Sequence, residues 1–147
     1  SEPLVVLVGG IDGSEATCEL AIDVIAAAKA GSTLVIESIG GIGKFSSTLR
    51  SIIGKRLTVA LEQDVDLISK IQPLGVRGWT MLNNALIDPP LVVNVGNGSI
   101  IFLGGDIRNA LLGEPAWGVH GYDTQTAVVL LEALVKRMNQ TRLSRSP

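Results

Sequence analysis

Cysteine, histidine and aromatic residues are scarce in this sequence. Its 147 residues include one cysteine, Cys18, one histidine, His120, and only 3% aromatic residues. A single cysteine cannot form an internal disulfide, and no Cys and His residues have zinc-finger spacing, so a disulfide scaffold and a structural zinc site are excluded. His120 and scattered carboxylates supply too few ligands for a catalytic metal, so no metal site is expected. The lack of disulfides fits a reducing cytoplasm, which is the expected location.

Charged residues and long apolar runs are also few. Only 18% of the residues are charged, and the formal net charge is −2. No segment approaches the roughly 18 uninterrupted apolar residues of a membrane span, and no basic stretch precedes the first apolar run, so we expect no membrane partner and no export. The basic residues that follow Glu132 lack interleaved aromatic residues, which argues against nucleic-acid binding. Residues 140–147 are predicted to form a flexible basic tail.

Small aliphatic residues and glycine are abundant instead. Hydrophobic residues make up 46% of the chain, and 17 residues are glycine. This composition excludes intrinsic disorder, and a chain of this length can bury a core as one α/β domain, predicted for residues 1–139. The chain has more aliphatic surface than one small domain can bury and few charged residues to cover it. We therefore expect homo-oligomerisation or burial against a partner subunit.

Strand and helix patterns alternate through the first part of the chain. Residues 4–8 are continuously apolar and β-branched, which predicts a strand covered on both faces. Ser14 is a suitable N-cap for an alanine-rich helix over residues 16–30, which Gly31 ends. Residues 33–39 predict a second strand.

Weaker patterns follow in the middle of the chain. A helix over residues 47–53 is predicted to end at Gly54, and a third strand is predicted over residues 57–61. Residues 65–71 and 81–87 predict two short helices that prolines terminate.

The last third contains a hairpin and a long helix. Apolar residues 91–95 and 99–103 flank Gly96-Asn97-Gly98, which predicts a buried antiparallel hairpin near residues 91–103. Asp106 is a suitable cap for a short helix over 107–112, and Thr124 for a final helix over 125–138. Together these patterns predict an α/β fold with a mostly parallel sheet flanked by helices, plus the antiparallel hairpin.

The first candidate binding loop follows the first strand. Gly10, Asp12, Gly13 and Ser14 lie between a strand and a helix start, where glycine permits close approach and free amides favour an anion. The loop matches neither the dinucleotide-binding nor the Walker A pattern. Asp12 could accept hydrogen bonds from a ribose, whereas a tight turn before a capped helix explains the same residues.

The opening of the chain resembles universal stress proteins, an adenine-nucleotide-binding α/β family. The likeness rests on residues 11–16, the alanine-rich helix after them, Gly31 and the apolar strand from Leu34, about the first quarter of the chain. In that family a second glycine-rich phosphate loop precedes the last helix and strand. Here the glycine-rich loop comes directly after the second strand instead. The resemblance implies nucleotide binding through the first loop.

The second candidate loop follows the second strand. Gly41, Gly43 and Lys44, with the paired serines after them, offer backbone donors, a positive charge and hydroxyl groups to an oxyanion. Phe45 stands where Walker A needs Ser or Thr, so Mg-ATP hydrolysis is not implied. A flexible loop with a solvated lysine is the alternative interpretation.

A third loop, residues 113–123, contains several groups that could transfer protons. His120 has an unperturbed pKa near neutrality, and Asp123 could orient its ring while Asp106 or Tyr122 supplies a second acid or base. Asp123 is equally placed to cap the final helix, and His120 to bond a backbone carbonyl.

Three functional hypotheses follow from these loops. The first is a cytoplasmic oligomer that binds a small anionic ligand, a nucleotide or a phosphate or carboxylate metabolite, at the strand ends. The second is a hydrolase or lyase that uses the His120 loop as an acid–base group. The third is a non-catalytic assembly subunit of a larger complex. The sequence does not identify a cofactor.

Overall fold

The chain folds around a mixed sheet with helices on both faces. A computed structural model describes residues 4–10, 12–38, 43–58, 62–63, 76–78, 90–105, 107, 111, 120–122 and 124–144. In chain order the elements are β1 (Leu4–Gly9), α1 (Cys18–Ala30), β2 (Thr33–Ser38), α2 (Phe45–Leu57), β3 (Glu62–Gln63), β4 (Val76–Gly78), β5 (Leu91–Val95), β6 (Gly98–Phe102), β7 (His120–Tyr122) and α3 (Thr124–Ser144).

The main sheet confirms the predicted fold class. Its strand order is β1-β2-β6-β5-β3, with β1, β2 and β6 parallel and β5 antiparallel to β6. The two-residue strand β3 pairs antiparallel with β5 at the far edge, and β4 and β7 form a separate antiparallel pair. The parallel strands β1 and β2 are linked through α1, as expected for a β-loop-α unit.

Helix α1 begins later than predicted. Its N-cap is Thr17, whose Oγ1 accepts the Leu20 amide at 3.1 Å, so the prediction of Ser14 as the cap was wrong. The side chain of Glu15, which precedes the helix, accepts the Gly10 amide. Gly31 ends the helix in the left-handed conformation with φ 116°, as predicted.

Helix α2 extends further in both directions than predicted. It spans Phe45–Leu57 and ends at Thr58, which adopts a left-handed φ of 52°, so Gly54 lies inside the helix and does not end it. The predicted strand over 57–61 was wrong at its start, because Leu57 is helical and β3 begins at Glu62. The helices predicted over 65–71 and 81–87 lie outside the described residues.

The predicted hairpin is confirmed. Val95 pairs with Gly98, so Gly96 and Asn97 form a two-residue turn. Gly96 has φ 57°, whereas Asn97 has no positive φ, a combination typical of a type II′ turn. Strand β6 is buried along its whole length at the centre of the sheet.

The two faces of the sheet carry separate hydrophobic cores. Helices α1 and α2 pack on one face against side chains that include Leu34, Ile36, Ile100 and Phe102. Helix α3 packs on the other face, where Ala127, Leu130 and Leu134 cover Val35, Ile101 and Val92. The apolar strands are therefore covered on both faces wherever they lie inside the sheet.

Strand β1 departs from this arrangement. It lies at the edge of the sheet, and most of its residues are only half-buried, so the prediction of a strand covered on both faces was wrong for β1. Val6 is 42% exposed. A continuous apolar run indicates a strand in an α/β sheet, but it does not specify the position of that strand in the sheet.

Helix α3 is longer than predicted and is anchored to β5. Its backbone is helical from Thr124 to Ser144, so the helix includes part of the segment predicted as a flexible tail. The Arg137 Nη2 group donates to Asn94 Oδ1 at 3.4 Å, and the Ser99 hydroxyl donates to the same oxygen at 3.0 Å. Burial lowers the pKa of Arg137. Among the described helices, none is long and apolar enough to span a membrane.

Candidate functional site

Three adjacent parallel strands end in glycine-containing segments at the same edge of the sheet. Strand β1 runs into Gly9-Gly10, β2 precedes the loop that contains Gly43, and β6 is followed by Gly104-Gly105. The carboxyl ends of parallel strands form the usual binding edge of an open α/β sheet. The sequence analysis identified the first two of these segments and missed the third, which lies beside the hairpin.

The loops after β1 and β2 contact each other. Gly13 has φ +75°, and a Cβ atom placed on it would lie 3.1 Å from the Lys44 backbone carbonyl carbon and 3.1 Å from the Lys44 Cβ. Only glycine accommodates both this conformation and this approach without strain. Gly13 therefore joins the Asp12 loop to the start of α2.

Three backbone amides of the first loop donate hydrogen bonds within the loop. The Ser14 amide donates to Asp12 Oδ1 at 3.0 Å, and the Gly10 amide donates to Glu15 Oε2 at 3.2 Å. The Gly13 amide donates to the Gly10 carbonyl at 3.2 Å. Two carboxylates of the loop thus occupy amides that the sequence analysis assigned to an external anion.

Asp12 is an exposed hydrogen-bond acceptor in this loop. Hydrogen bonds from the backbone amide and the hydroxyl of Ser14 lower the pKa of its carboxyl group. Asp12 is therefore a carboxylate at neutral pH, and its exposed oxygens have lone pairs that can accept further hydrogen bonds. It suits a hydroxyl-bearing ligand better than it suits an anion.

The start of α2 is positively charged, in contrast to the carboxylates of the Asp12 loop. The first amides of a helix have no acceptor within the helix. In α2 the Ser46 amide donates to Ser38 Oγ at 3.0 Å, whereas no acceptor in the described part of the chain meets the amides of Phe45 and Ser47. The exposed Lys44 side chain adds a positive charge next to these amides. The partial positive charge of these amides and the full charge of Lys44 thus both belong to the start of α2.

Two buried residues of α2 hold this helix start against the sheet. The Phe45 ring is 2% exposed and lies so close to Gly9 that a Cβ atom on Gly9 would overlap it at 1.9 Å. The Ser46 hydroxyl is 3.5 Å from the carbonyl oxygens of Ile36 and Leu103. Because these groups belong to β2 and to the segment after β6, the first turn of α2 is fixed between two parallel strands.

A buried carboxylate lies under the third glycine segment. Glu37 of β2 is fully buried, and its Oε2 accepts the Ile107 amide at 2.9 Å. The Leu111 amide donates to the Ile107 carbonyl at 3.0 Å, as in a helical turn. Glu37 therefore fixes the chain after Gly104-Gly105. The sequence analysis missed this residue, and its only local signal is a charged residue inside an otherwise apolar strand.

Several predicted site residues lie outside the described structure. Gly41, Asp106 and Asp123 are among them. His120 begins β7 and pairs in register with Gly78 of β4, but its side chain is outside what the structure describes. Its role as an acid–base group therefore stays a prediction, together with the hydrolase or lyase hypothesis.

In the described part of the chain, no cluster of three or more His, Cys, Asp or Glu residues could hold a metal ion. Cys18, the first residue of α1, is exposed.

Comparison with known proteins adds no assignment. No family model, no curated protein and no solved structure matches the chain. The resemblance of its opening to universal stress proteins therefore rests on the short stretch described above.

Proposed function

We propose that this protein binds a small phosphorylated ligand, a sugar phosphate or a nucleotide, between the Asp12 loop and the start of α2. The observation that carries the proposal is the contact between Gly13 and Lys44, which joins an acceptor loop to a donor helix start. A phosphate would accept hydrogen bonds from the Phe45 and Ser47 amides and pair with the Lys44 ammonium group. The ligand hydroxyls would donate to Asp12.

The Asp12 loop is negatively charged and the start of α2 is positively charged. This difference favours a sugar phosphate or a nucleotide over a simple anion. Asp12 and Glu15 place negative charge on one side of the contact, so a ligand that was anionic throughout would be repelled there. A ligand with an anionic group at one end and hydroxyls at the other avoids this repulsion. Sugar phosphates and nucleotides have that distribution, and both classes belong to the anionic ligands that the sequence predicts.

The cellular setting of this function is part of the proposal. We place the protein in the cytoplasm, where phosphorylated metabolites are available, because a single exposed cysteine suits a reducing compartment. A binding protein that releases its ligand unchanged is consistent with the described groups of the site. A hydrolytic role would need the His120 side chain at the same edge.

The test is a titration of the purified protein with ribose 5-phosphate, AMP and inorganic phosphate, followed by calorimetry and thermal shift. We expect saturable binding of ribose 5-phosphate or AMP. Replacing Lys44 with alanine should raise the dissociation constant by about tenfold to a hundredfold, because a charge-assisted hydrogen bond contributes about 1.5–3 kcal/mol. Lys55→Ala is the matched control, since Lys55 is exposed in the last turn of the same helix.

Asp12→Asn separates the two sides of the site. Because the carboxylate would hold ligand hydroxyls, this variant should weaken ribose 5-phosphate binding and leave inorganic phosphate binding unchanged. Absence of binding by all three compounds would reject the proposal. So would binding that Lys44→Ala and Lys55→Ala affect equally.

A further inference from the structure

The free edge of β1 is an apolar surface that the proposed ligand site does not use. Within the described part of the chain β1 pairs only with β2, so its other edge presents backbone N–H and C=O groups without a sheet partner. The strand sequence Leu-Val-Val-Leu-Val-Gly contains no charge and no proline. Such an edge is a template for another strand, and monomeric proteins usually protect edges with lysine, proline or a bulge.

Side chains beside this edge are apolar as well. In parallel pairing, opposite residues point to the same face, so Val6 shares the α3 face with Val35, its partner in β2. Val6 is 42% exposed. On α3, Val128 and Val135 are 42% and 37% exposed, although both are large aliphatic residues of a well-packed helix.

The exposed residues of α3 lie on the flank of that helix that faces β1. Leu130 and Leu134 point at the sheet, and Arg137 reaches Asn94 of β5 on one side. At about 100° per residue, Val128 and Val135 lie on the opposite side of the Leu130–Leu134 stripe from Arg137. Strands β5 and β1 lie on opposite sides of the sheet centre. The stripe of α3 that contains Val128 and Val135 therefore lies on the β1 side of the helix. Half-buried Leu131 and Met138 complete it.

We propose that this face, formed by the free edge of β1 and the stripe Val128, Leu131, Val135 and Met138 of α3, binds a second copy of the chain. Strand β1 of one protomer pairs antiparallel with β1 of its partner, and the two sheets become continuous. This inference is independent of the proposed ligand site, which lies at the carboxyl end of the strands.

A second copy of the chain can bind this face through a two-fold axis, because the same residues then meet across the axis. A two-fold axis perpendicular to the sheet keeps α3 and its symmetry mate on the same side, so residues of the same face pair across the axis. Val6 then lies opposite Val6 of the partner subunit, with Leu4 opposite Val8 at each end. No like charges meet along the paired strands, because the residues of β1 are uncharged.

The size of the face also suits a dimer. Six strand residues span about 20 Å. Helices lie on both sides of the sheet, with α2 on one face and α3 on the other, so this end of the molecule is roughly 30 Å tall. Together with the side of α2 that packs next to β1, this face measures about 600 Å² per protomer, which reaches the lower bound of stable protein–protein interfaces.

The first test is the mass of the protein in solution, measured by light scattering and sedimentation at micromolar concentration. We expect twice the chain mass. Val6→Lys and Val135→Lys each place a charge in the apolar face and should weaken the dimer at least about tenfold. Ile22→Lys is the matched control, because Ile22 is 46% exposed on α1, which covers the other face of the sheet. It should remain dimeric.

A cross-linking experiment tests the register without a destabilising charge. In a Cys18→Ser background, Val6→Cys should form a covalent dimer on mild oxidation, because opposite residues of antiparallel strands are about 4.5–5.5 Å apart, within disulfide range. Ile22→Cys in the same background should not. A monomeric wild-type protein, or a dimer that dissociates in Ile22→Lys but not in a folded Val6→Lys protein, would overturn the inference. Failure of Val6→Cys to cross-link a confirmed dimer would overturn the pairing.

Discussion

Gly98 at the amino end of the parallel strands and Gly9 and Gly10 at their carboxyl end lie against different kinds of atom. At the amino end, a Cβ atom on Gly98 would lie 2.2 Å from the Ser32 carbonyl oxygen and 2.4 Å from that of Ala28. At the carboxyl end, a Cβ atom on Gly9 would meet the Phe45 ring, and one on Gly10 would meet the Glu15 carboxylate at 2.9 Å. Backbone surrounds the first position and side chains surround the other two.

The amino end of the strands therefore has a structural role, whereas the carboxyl end is suited to binding. At the amino end, the close approach lets the last turn of α1 pack directly on β6, and the Ser99 amide donates to the Ser32 carbonyl at 3.2 Å. At the carboxyl end, polar side chains and helix amides lie near the surface around Gly13. Backbone cannot move aside at low cost, whereas side chains can change rotamer.

The largest effect should come from Gly98→Ala. Because the added methyl group overlaps the backbone oxygens of Ala28 in α1 and of Ser32 after the Gly31 cap, α1 or β6 must shift, at a cost of about 3 kcal/mol in the free energy of unfolding. Urea unfolding measures this loss. Gly54→Ala is the control, since a Cβ there meets nothing within 4 Å and should stabilise helix α2 by about 0.5–1 kcal/mol. A cost below about 1 kcal/mol for Gly98→Ala would show that the amino end is as adaptable as the carboxyl end.

A smaller loss is expected for Gly9→Ala. Here the overlap is with the ring of Phe45, which can move only by disturbing the core, so we expect a cost of about 2 kcal/mol. The double variant with Phe45→Leu should cost less than the sum of the two single variants in urea unfolding. Additive costs would mean that the ring and Gly9 do not compete for space.

Ser38→Ala should cost about 1–2 kcal/mol. It removes the hydroxyl that accepts the buried Ser46 amide, and an unsatisfied buried donor loses about that much. Ser47→Ala is the matched control, because the Ser47 hydroxyl donates to the Lys44 carbonyl at an exposed position. Its unfolding free energy should change little. Equal effects of the two substitutions would contradict the role of Ser38 in fixing α2.

The smallest effect concerns the pH dependence contributed by Asp12. Its pKa is lowered in the folded protein, so its contribution to stability is present above the unfolded value and is lost as pH falls through the folded value. Compared with Asp12→Asn, the wild-type protein should keep a constant difference in unfolding free energy above about pH 5 and lose it below about pH 4. Urea unfolding across this range measures the difference. A difference that grows on acidification would reverse the sign.

The sequence allowed the fold class to be predicted because its patterns are periodic and local. The β-loop-α unit, the Gly31 cap and the hairpin at residues 91–103 each follow from residues within a short window. The start of α1 was less predictable, since Ser14 and Thr17 are both good caps. In the structure Glu15 accepts the Gly10 amide and Thr17 caps the helix, which begins at Cys18.

The candidate site was only partly predictable from sequence. Asp12 and Lys44 were identified by the loops that contain them, but their proximity depends on β1 and β2 being neighbours. The use of the loop amides by Asp12 and Glu15 could not be foreseen, because the glycine pattern is the same whether the amides are free or satisfied. Glu37 was missed since its partner, Ile107, is 70 residues away in sequence.

Local composition by itself determined the class of this fold, the positions of most turns and the presence of glycine-rich loops, because short-range sterics and hydrogen bonding control them. The tertiary structure decided which strand lies at the edge, which loops meet and which amides stay available. These properties depend on strand order, and strand order is set by packing between distant segments. Strand β1 has the sequence of an interior strand, and only its place in the sheet leaves Val6 exposed.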